Sequence, residues 1–240
     1  MWELIFLKKI ICIFISFFML TSNIIYGEEI HDDTKANRII LIDPGHGGQD
    51  GGAVGKDKTL EKDLNLKISL KVKQLLEDGG YTVYMTREDD RDLHTKEGTV
   101  KGEKIEDLKT RCNMKDKTGC ELFISIHMNN FTDSKPTGPH VYYANNEKSK
   151  FIADILISNL IKDLEYPKER EAKPAKNAYR ILRNPKNGEV IVECGFMSNQ
   201  GDLAKLKNDE YQDKIANSIK KSVDEYYDRY CPGNISTIAE

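Results

Sequence analysis

The chain has 240 residues, 36 basic and 39 acidic, for a formal net charge of −3, and 39% of it is hydrophobic. That length suits one well-cored domain rather than two cramped ones. The even charge balance, with no concentrated basic stripe, excludes a composition-level case for nucleic acid as a partner.

At the N-terminus, Lys8 and Lys9 precede the apolar run "IICIFISFFML" at 10–20. A positive flank and an apolar core of this length read as a secretory signal, since a spanning helix needs about 20 apolar residues. Ile25 fits poorly ahead of a cleavage site after Gly27, and the apolar residues 4–7 lengthen the run, so an uncleaved anchor stays open as the alternative. Either way, residues 1–27 are the only contact with the membrane and the rest is expected outside it. A linker at 28–37, a catalytic domain at 38–232 and a tail at 233–240 are expected to follow.

"RIILI" at 38–42 is a short β-branched run ending at Asp43-Pro44-Gly45, a strand buried on both faces as in a parallel sheet. Beyond it, His46 stands among glycines. Leu60, Leu64, Ile68, Val72, Leu75 and Leu76 recur at helical spacing until Gly79-Gly80 stops them. "YTVYMTR" is a second strand. Residues 88–103 are polar and aperiodic and read as a long loop, followed by a helix over 104–117 carrying Ile105, Leu108, Cys112 and Met114. "ELFISIH" is another buried strand, ending in His127. "HVYYA" is a strand, and 148–164 a helix with Ile152, Leu156 and Leu160 on one face. "AYRILR" and "EVIVEC" are two more candidate strands, and 211–230 is the last helix. This alternation predicts a single α/β domain, a sheet with helices on both faces.

Four of the five cysteines follow the N-terminal segment: Cys112, Cys120, Cys194 and Cys231. They are too few for a disulfide-built fold and too widely spaced for a structural zinc knot. A Cys112–Cys120 pair stays open, because spacing does not establish the geometry a disulfide needs.

Open α/β sheets place their sites beyond the carboxyl ends of the strands. His46, His127 and Glu193 close three candidate strands, and Glu61 opens the helix after the glycine loop. Two imidazoles and two carboxylates at one rim suit zinc, which takes three protein ligands, often two histidines and a carboxylate, and keeps a place for water. The ion lowers the pKa of that water toward ~7, and a further carboxylate collects its proton. Taken singly, each residue has a plainer reading. A strand-end histidine is usually a surface group, and Glu61 beside Lys62 suits the charge of a helix's first turn. Glu193 within "VIVECGF" is the exception, since carboxylates are rarely buried without a partner. Their common placement favours a site.

"DPGHGGQDGGAVG", the "EK" at Glu61-Lys62, "FISIHMN" and "IVECGFMSN" resemble, in order, the four blocks of the zinc-dependent N-acetylmuramoyl-L-alanine amidases, the Amidase_3 class of cell-wall hydrolases. "YQDKIANSIKKSVDEYY" resembles that family's closing helix. The resemblance implies a twisted, mixed sheet of about six strands, one Zn2+ ion on His46, Glu61 and His127, and Glu193 as the catalytic glutamate. It also implies the substrate, the amide joining the lactyl group of N-acetylmuramic acid to L-alanine in peptidoglycan, with glycan and stem peptide both bound. A lone catalytic domain behind an export segment resembles the germination-specific, spore-cortex branch, where removal of the stem prepares muramic acid for conversion to muramic-δ-lactam. Targeting would then fall to a regulatory protein partner.

Around this set, Asp43 is either a group that orients the ligands or a turn residue before Pro44. Asn129 is either a group that orients the ligands or, the favoured reading, one with no role there; Cys194 is expected in the core; His94 is a spare ligand or, the favoured reading, a solvated loop histidine; and His140, near the rim, is a substrate contact or, the favoured reading, a surface residue. Two other functions fit the same chain: a zinc peptidase cutting within the stem, and a non-catalytic wall-binding protein with a degenerate site.

Overall fold

The computed structural model describes residues 33–95 and 98–230. The expected signal or anchor at 1–27, the first half of the linker and the tail lie outside the described residues. Six strands form one sheet: β1 (Ile39–Pro44), β2 (Thr82–Met85), β3 (Leu122–Asn129), β4 (His140–Tyr143), β5 (Lys173–Pro174) and β6 (Gly188–Phe196), in the order β2-β1-β3-β6-β4-β5. β2, β1, β3 and β6 run parallel, β4 is antiparallel to β6, and β5 runs parallel to β4. The central β1, β3 and β6 are covered on both faces, so their sequences are nearly unbroken apolar runs rather than alternating ones.

Five helices flank the sheet: α1 (Glu61–Asp78), α2 (Val100–Thr118), α3 (Glu147–Asp163), α4 (Gln200–Leu206) and α5 (Asp209–Tyr230). On one face α1, α3 and α5 bury Ile68, Val72, Leu156 and Ile219 against Ile40, Ile42, Ile124 and Val192. On the other, α2 and a 3-10 turn at Arg180–Leu182 cover a smaller apolar layer of Leu41, Phe123, Ile181 and Ile191. None of the described helices is long and apolar enough to cross a membrane. The single α/β domain with helices on both faces is as expected.

Two local readings are corrected, the start of the helix at 104 and the strand at "AYRILR". The helix expected at 104 begins at Val100, because Thr99 caps it by accepting from the Gly102 amide, which shortens the loop. Of the apolar residues it carries, Cys112 and Met114 pack against the smaller layer, but its buried residues are Arg111 and Lys115, and Ile105 is 41% exposed. "AYRILR" is not a strand. Lys173–Pro174 pairs with β4 instead, and the later segment folds into the 3-10 turn that tucks Ile181 and Leu182 beneath α2. The segment before the last helix holds the short α4, whose first turn is capped by Asn199. Cys112, Cys120 and Cys194 are free thiols, so Cys112 and Cys120 are not joined.

Charge therefore fastens α2 to the sheet. Arg111 meets Asp43 at 2.6 Å, and Lys115 meets Glu189 at 2.6 Å while also donating to the Ile181 carbonyl. All four side chains are buried. Removing one partner of such a pair strands the other in a low-dielectric interior. Lys115→Met should lower the unfolding free energy by ~3–5 kcal/mol in urea titration. Adding Glu189→Gln to that variant should recover most of the loss.

Candidate functional site

β1 ends at Pro44, and the chain turns at once into the glycine loop. Gly45 donates to the Ile126 carbonyl of β3, and any Cβ on it would collide with the His127 ring. His46 follows with φ 61°, the left-handed region that non-glycine residues seldom occupy. Two buried guanidinium groups hold it there. Arg87 and Arg111 each donate to the His46 carbonyl at 2.7 Å and to the Pro44 carbonyl at 3.1 and 2.9 Å, and Arg87 also donates to Gly45.

Asp43 accepts from Arg111, Thr86 and Ser125 at 2.6–2.7 Å. Burial opposes its charge, but the Arg111 cation and these donors hold its carboxyl below the usual range. It therefore supports the loop through Arg111 and touches neither histidine.

Three side chains converge above this support. His46 Nε2 lies 3.3 Å from Glu61 Oε2, and His127 Nδ1 lies 3.0 Å from Glu61 Oε1. One ligand atom from each of His46, Glu61 and His127 fits within 4.8 Å of the others, and the two rings stand edge to face at 5.0 Å. Glu61 is held from several segments: Ala53 N donates to Oε2 at 2.8 Å, and Met128 N (3.1 Å) and Asn65 Nδ2 (3.4 Å) donate to Oε1. Burial opposes its charge, yet the two histidines keep it ionised far below the ordinary range. Asp50 Oδ2 lies 2.9 Å from His46 Nδ1, leaving Nε2 to face Glu61, and Lys104 of α2 donates to the other Asp50 oxygen. Burial pulls the His46 pKa down, but Asp50 and Glu61 outweigh it and raise it to about 9.

Glu193 lies beside this cluster, since its register partner on β3 is His127. It is buried, and its Oε2 has no hydrogen-bond partner among the described residues. Burial, with the Glu61 charge added, raises its pKa to about 7 against the pull of the two histidines.

The donor set fits a zinc ion: two imidazoles and a carboxylate, with a second carboxylate free to handle a proton. The packing fits as well. A Cβ on Gly52 would fall 2.6 Å from Glu61 Oε2 and 2.7 Å from the His46 ring, filling the space the cluster needs. A cleft of about 460 Å³ opens alongside, bounded by His46, His127, Lys104, Asp107, Tyr179 and Ile191.

His46, Glu61, His127 and Glu193 are thus brought to one sheet edge. His94 lines the cleft but does not join the three. Asn129 contacts none of the three, and its amide lies 3.4 Å from His140 Nδ1. Cys194 is buried in the core on the opposite face. Sequence reasoning missed Asp50, Asn65, Arg87 and Arg111. The first two carried a signal, each lying four residues after a singled-out residue, His46 and Glu61. The arginines carried none, because their partners are backbone carbonyls more than 40 residues away.

A family model described as N-acetylmuramoyl-L-alanine amidase, Amidase_3, matches residues 40–225. The chain is 40% identical over 202 residues to the germination-specific N-acetylmuramoyl-L-alanine amidase of Bacillus subtilis, covering 80% of this chain and 81% of that one. Its fold is similar to the CwlD amidase from Clostridioides difficile, solved in complex with the GerS lipoprotein (TM-score 0.77, 36% identity, 80% of this chain and 99% of that one). It is also similar to the catalytic domain of CwlV from Bacillus (Paenibacillus) polymyxa (TM-score 0.69, 28% identity, 80% and 98% covered). With its fold, its site and a family match over most of its length, the chain belongs to the Amidase_3 family of N-acetylmuramoyl-L-alanine amidases.

Proposed function

We propose that this amidase works with one zinc ion held by His46, Glu61 and His127, and that Glu193 is its catalytic base. The bond cut is the amide between the lactyl group of N-acetylmuramic acid and L-alanine in peptidoglycan. The observation that carries this reading is the three-donor cluster within 4.8 Å, set beside a buried carboxylate with a partnerless oxygen.

A zinc ion bound there supplies a Lewis acid that polarises a carbonyl and lowers the pKa of water toward ~7. Glu193 takes the proton of the attacking water and returns it to the departing L-alanine nitrogen. A carboxyl with a pKa near neutrality suits both halves of that cycle. Asp50 engages His46 Nδ1 and so presents Nε2 to the site. The cleft wall of α2 and Tyr179 takes the glycan and the stem.

The substrate wall is that of the spore cortex, where stem removal leads toward muramic-δ-lactam. The likeness to a germination-specific amidase supports that setting. Because peptidoglycan lies outside the membrane, residues 1–27 act as the export signal or anchor and 38–232 as the catalytic domain. A protein partner targets or regulates the enzyme, a reading supported by likeness to a chain solved with a lipoprotein.

Glu193→Gln should lower kcat by ~10²–10⁴-fold with zinc content unchanged. Mass spectrometry of digested peptidoglycan should find intact stems with a free L-alanine amino terminus. Internal stem fragments would identify a peptidase instead.

Chelation should abolish hydrolysis and added zinc restore it. Zinc at a hundredfold excess over its Kd should also stabilise the fold by about 3 kcal/mol, read as a rise in Tm.

The Glu193 carboxyl should also make stability depend on pH. Its folded pKa lies near 7, above the ordinary 4.5, so the native state binds this proton more tightly than the unfolded chain. The cost of ionising it is absent below pH 4.5, grows as pH rises through 7 and stays in full above. In chelator, Glu193→Gln should match the parent near pH 4.5 and exceed it by ~3 kcal/mol at pH 8 in denaturant titration.

A further inference from the structure

Cross-strand partners share a face of a sheet, and at the rim one row crosses three strands. His127 of β3 is paired with Glu193 of β6, and Glu193 with His140 of β4. Two residues down the strands, the same face carries Ser125, Ile191 and Tyr142, and Ile191 lines the cleft. Glu193 therefore has an imidazole on either side. His127 belongs to the three-donor cluster, and His140 does not.

The surroundings of His140 fix its ring and its proton. The ring stands edge-on to Phe196 at 5.3 Å and to Tyr142 at 6.4 Å. Asn129 Nδ2, a donor only, lies 3.4 Å from His140 Nδ1, so Nδ1 accepts and the ring proton sits on Nε2. No other described side chain is hydrogen-bonded to the ring, which is half-buried. Burial, with Lys173 and Arg170 adding to it, depresses its pKa to about 4, so the ring is neutral at ordinary pH.

The geometry points to His140 as a catalytic residue of this chain, donating from Nε2–H to the carbonyl oxygen of the amide attacked above Glu193. A fixed donor aimed at an oxygen that gains charge in the transition state is worth most where water is excluded. No proton changes hands, so the ring emerges unaltered from each turnover. This role rests on Glu193 being the base.

Three variants test it on the full chain with zinc. His140→Phe keeps an aromatic ring against Phe196 but has no donor, and should lose ~10²-fold in kcat with KM, zinc content and Tm near the parent's. His140→Gln keeps an N–H and should recover part of that loss. Should phenylalanine not be accommodated, His140→Leu serves in the same comparison against His140→Gln. A donorless variant with kcat within twofold of the parent, a loss confined to KM, or His140→Gln no better than His140→Phe would overturn the assignment. Glu193→Gln is measured alongside. If it stays active, the base assignment fails; if it is inactive while His140→Phe works normally, only the role of His140 fails.

Discussion

Everything at the rim depends on two guanidinium groups converging on three consecutive backbone carbonyls. Arg87 from the end of β2 and Arg111 from α2 collect Pro44, Gly45 and His46, turning those oxygens inward. Holding His46 in a left-handed conformation costs on the order of 1–3 kcal/mol. Hydrogen bonds from charged donors, each contributing ~1.5–3 kcal/mol, offset it. Two buried cations so close repel each other: burial and the Arg111 charge together lower the Arg87 pKa, and Asp43, Asp90 and Asp107 counter them. Asp43 is thus a counter-ion whose removal would set the two arginines against each other beneath the loop.

The central strands and α1 were legible because one physical signal dominates each of them. Continuous β-branched runs mark β1, β3 and β6, and the spacing of Leu64, Ile68, Val72 and Leu76 marks the buried face of α1. The four residues singled out for the site could be seen at strand ends and at a helix start, and the structure places them together. α2 was not legible in the same way. Its buried residues are charged, and what lets Arg111 and Lys115 be buried is Asp43 and Glu189, each more than 60 residues away along the chain. A window of local sequence contains no trace of that. "AYRILR" failed for a related reason: its apolar residues are buried beneath α2 rather than in a ladder, and periodicity does not distinguish the two.

Glu193 shows the tension between fold and chemistry in one residue. It sits within a nine-residue strand buried at every position, between Val192 and Cys194 of the opposite face. The carboxyl loses its solvent and gains no protein partner for one oxygen, and that same deprivation brings its proton affinity into the working range of a general base. The lost solvation and the raised proton affinity have one cause, burial.

Glu61 reaches three regions of the chain at once: the Ala53 amide on the loop before it, the Met128 amide of β3, and a histidine from each side. The donor residues themselves stand at 46, 61 and 127, so no contiguous stretch of the polypeptide brings all three together. The cluster is complete only when the loop, the first helix and the third strand have docked, which makes it a reporter of finished tertiary structure rather than of any local segment.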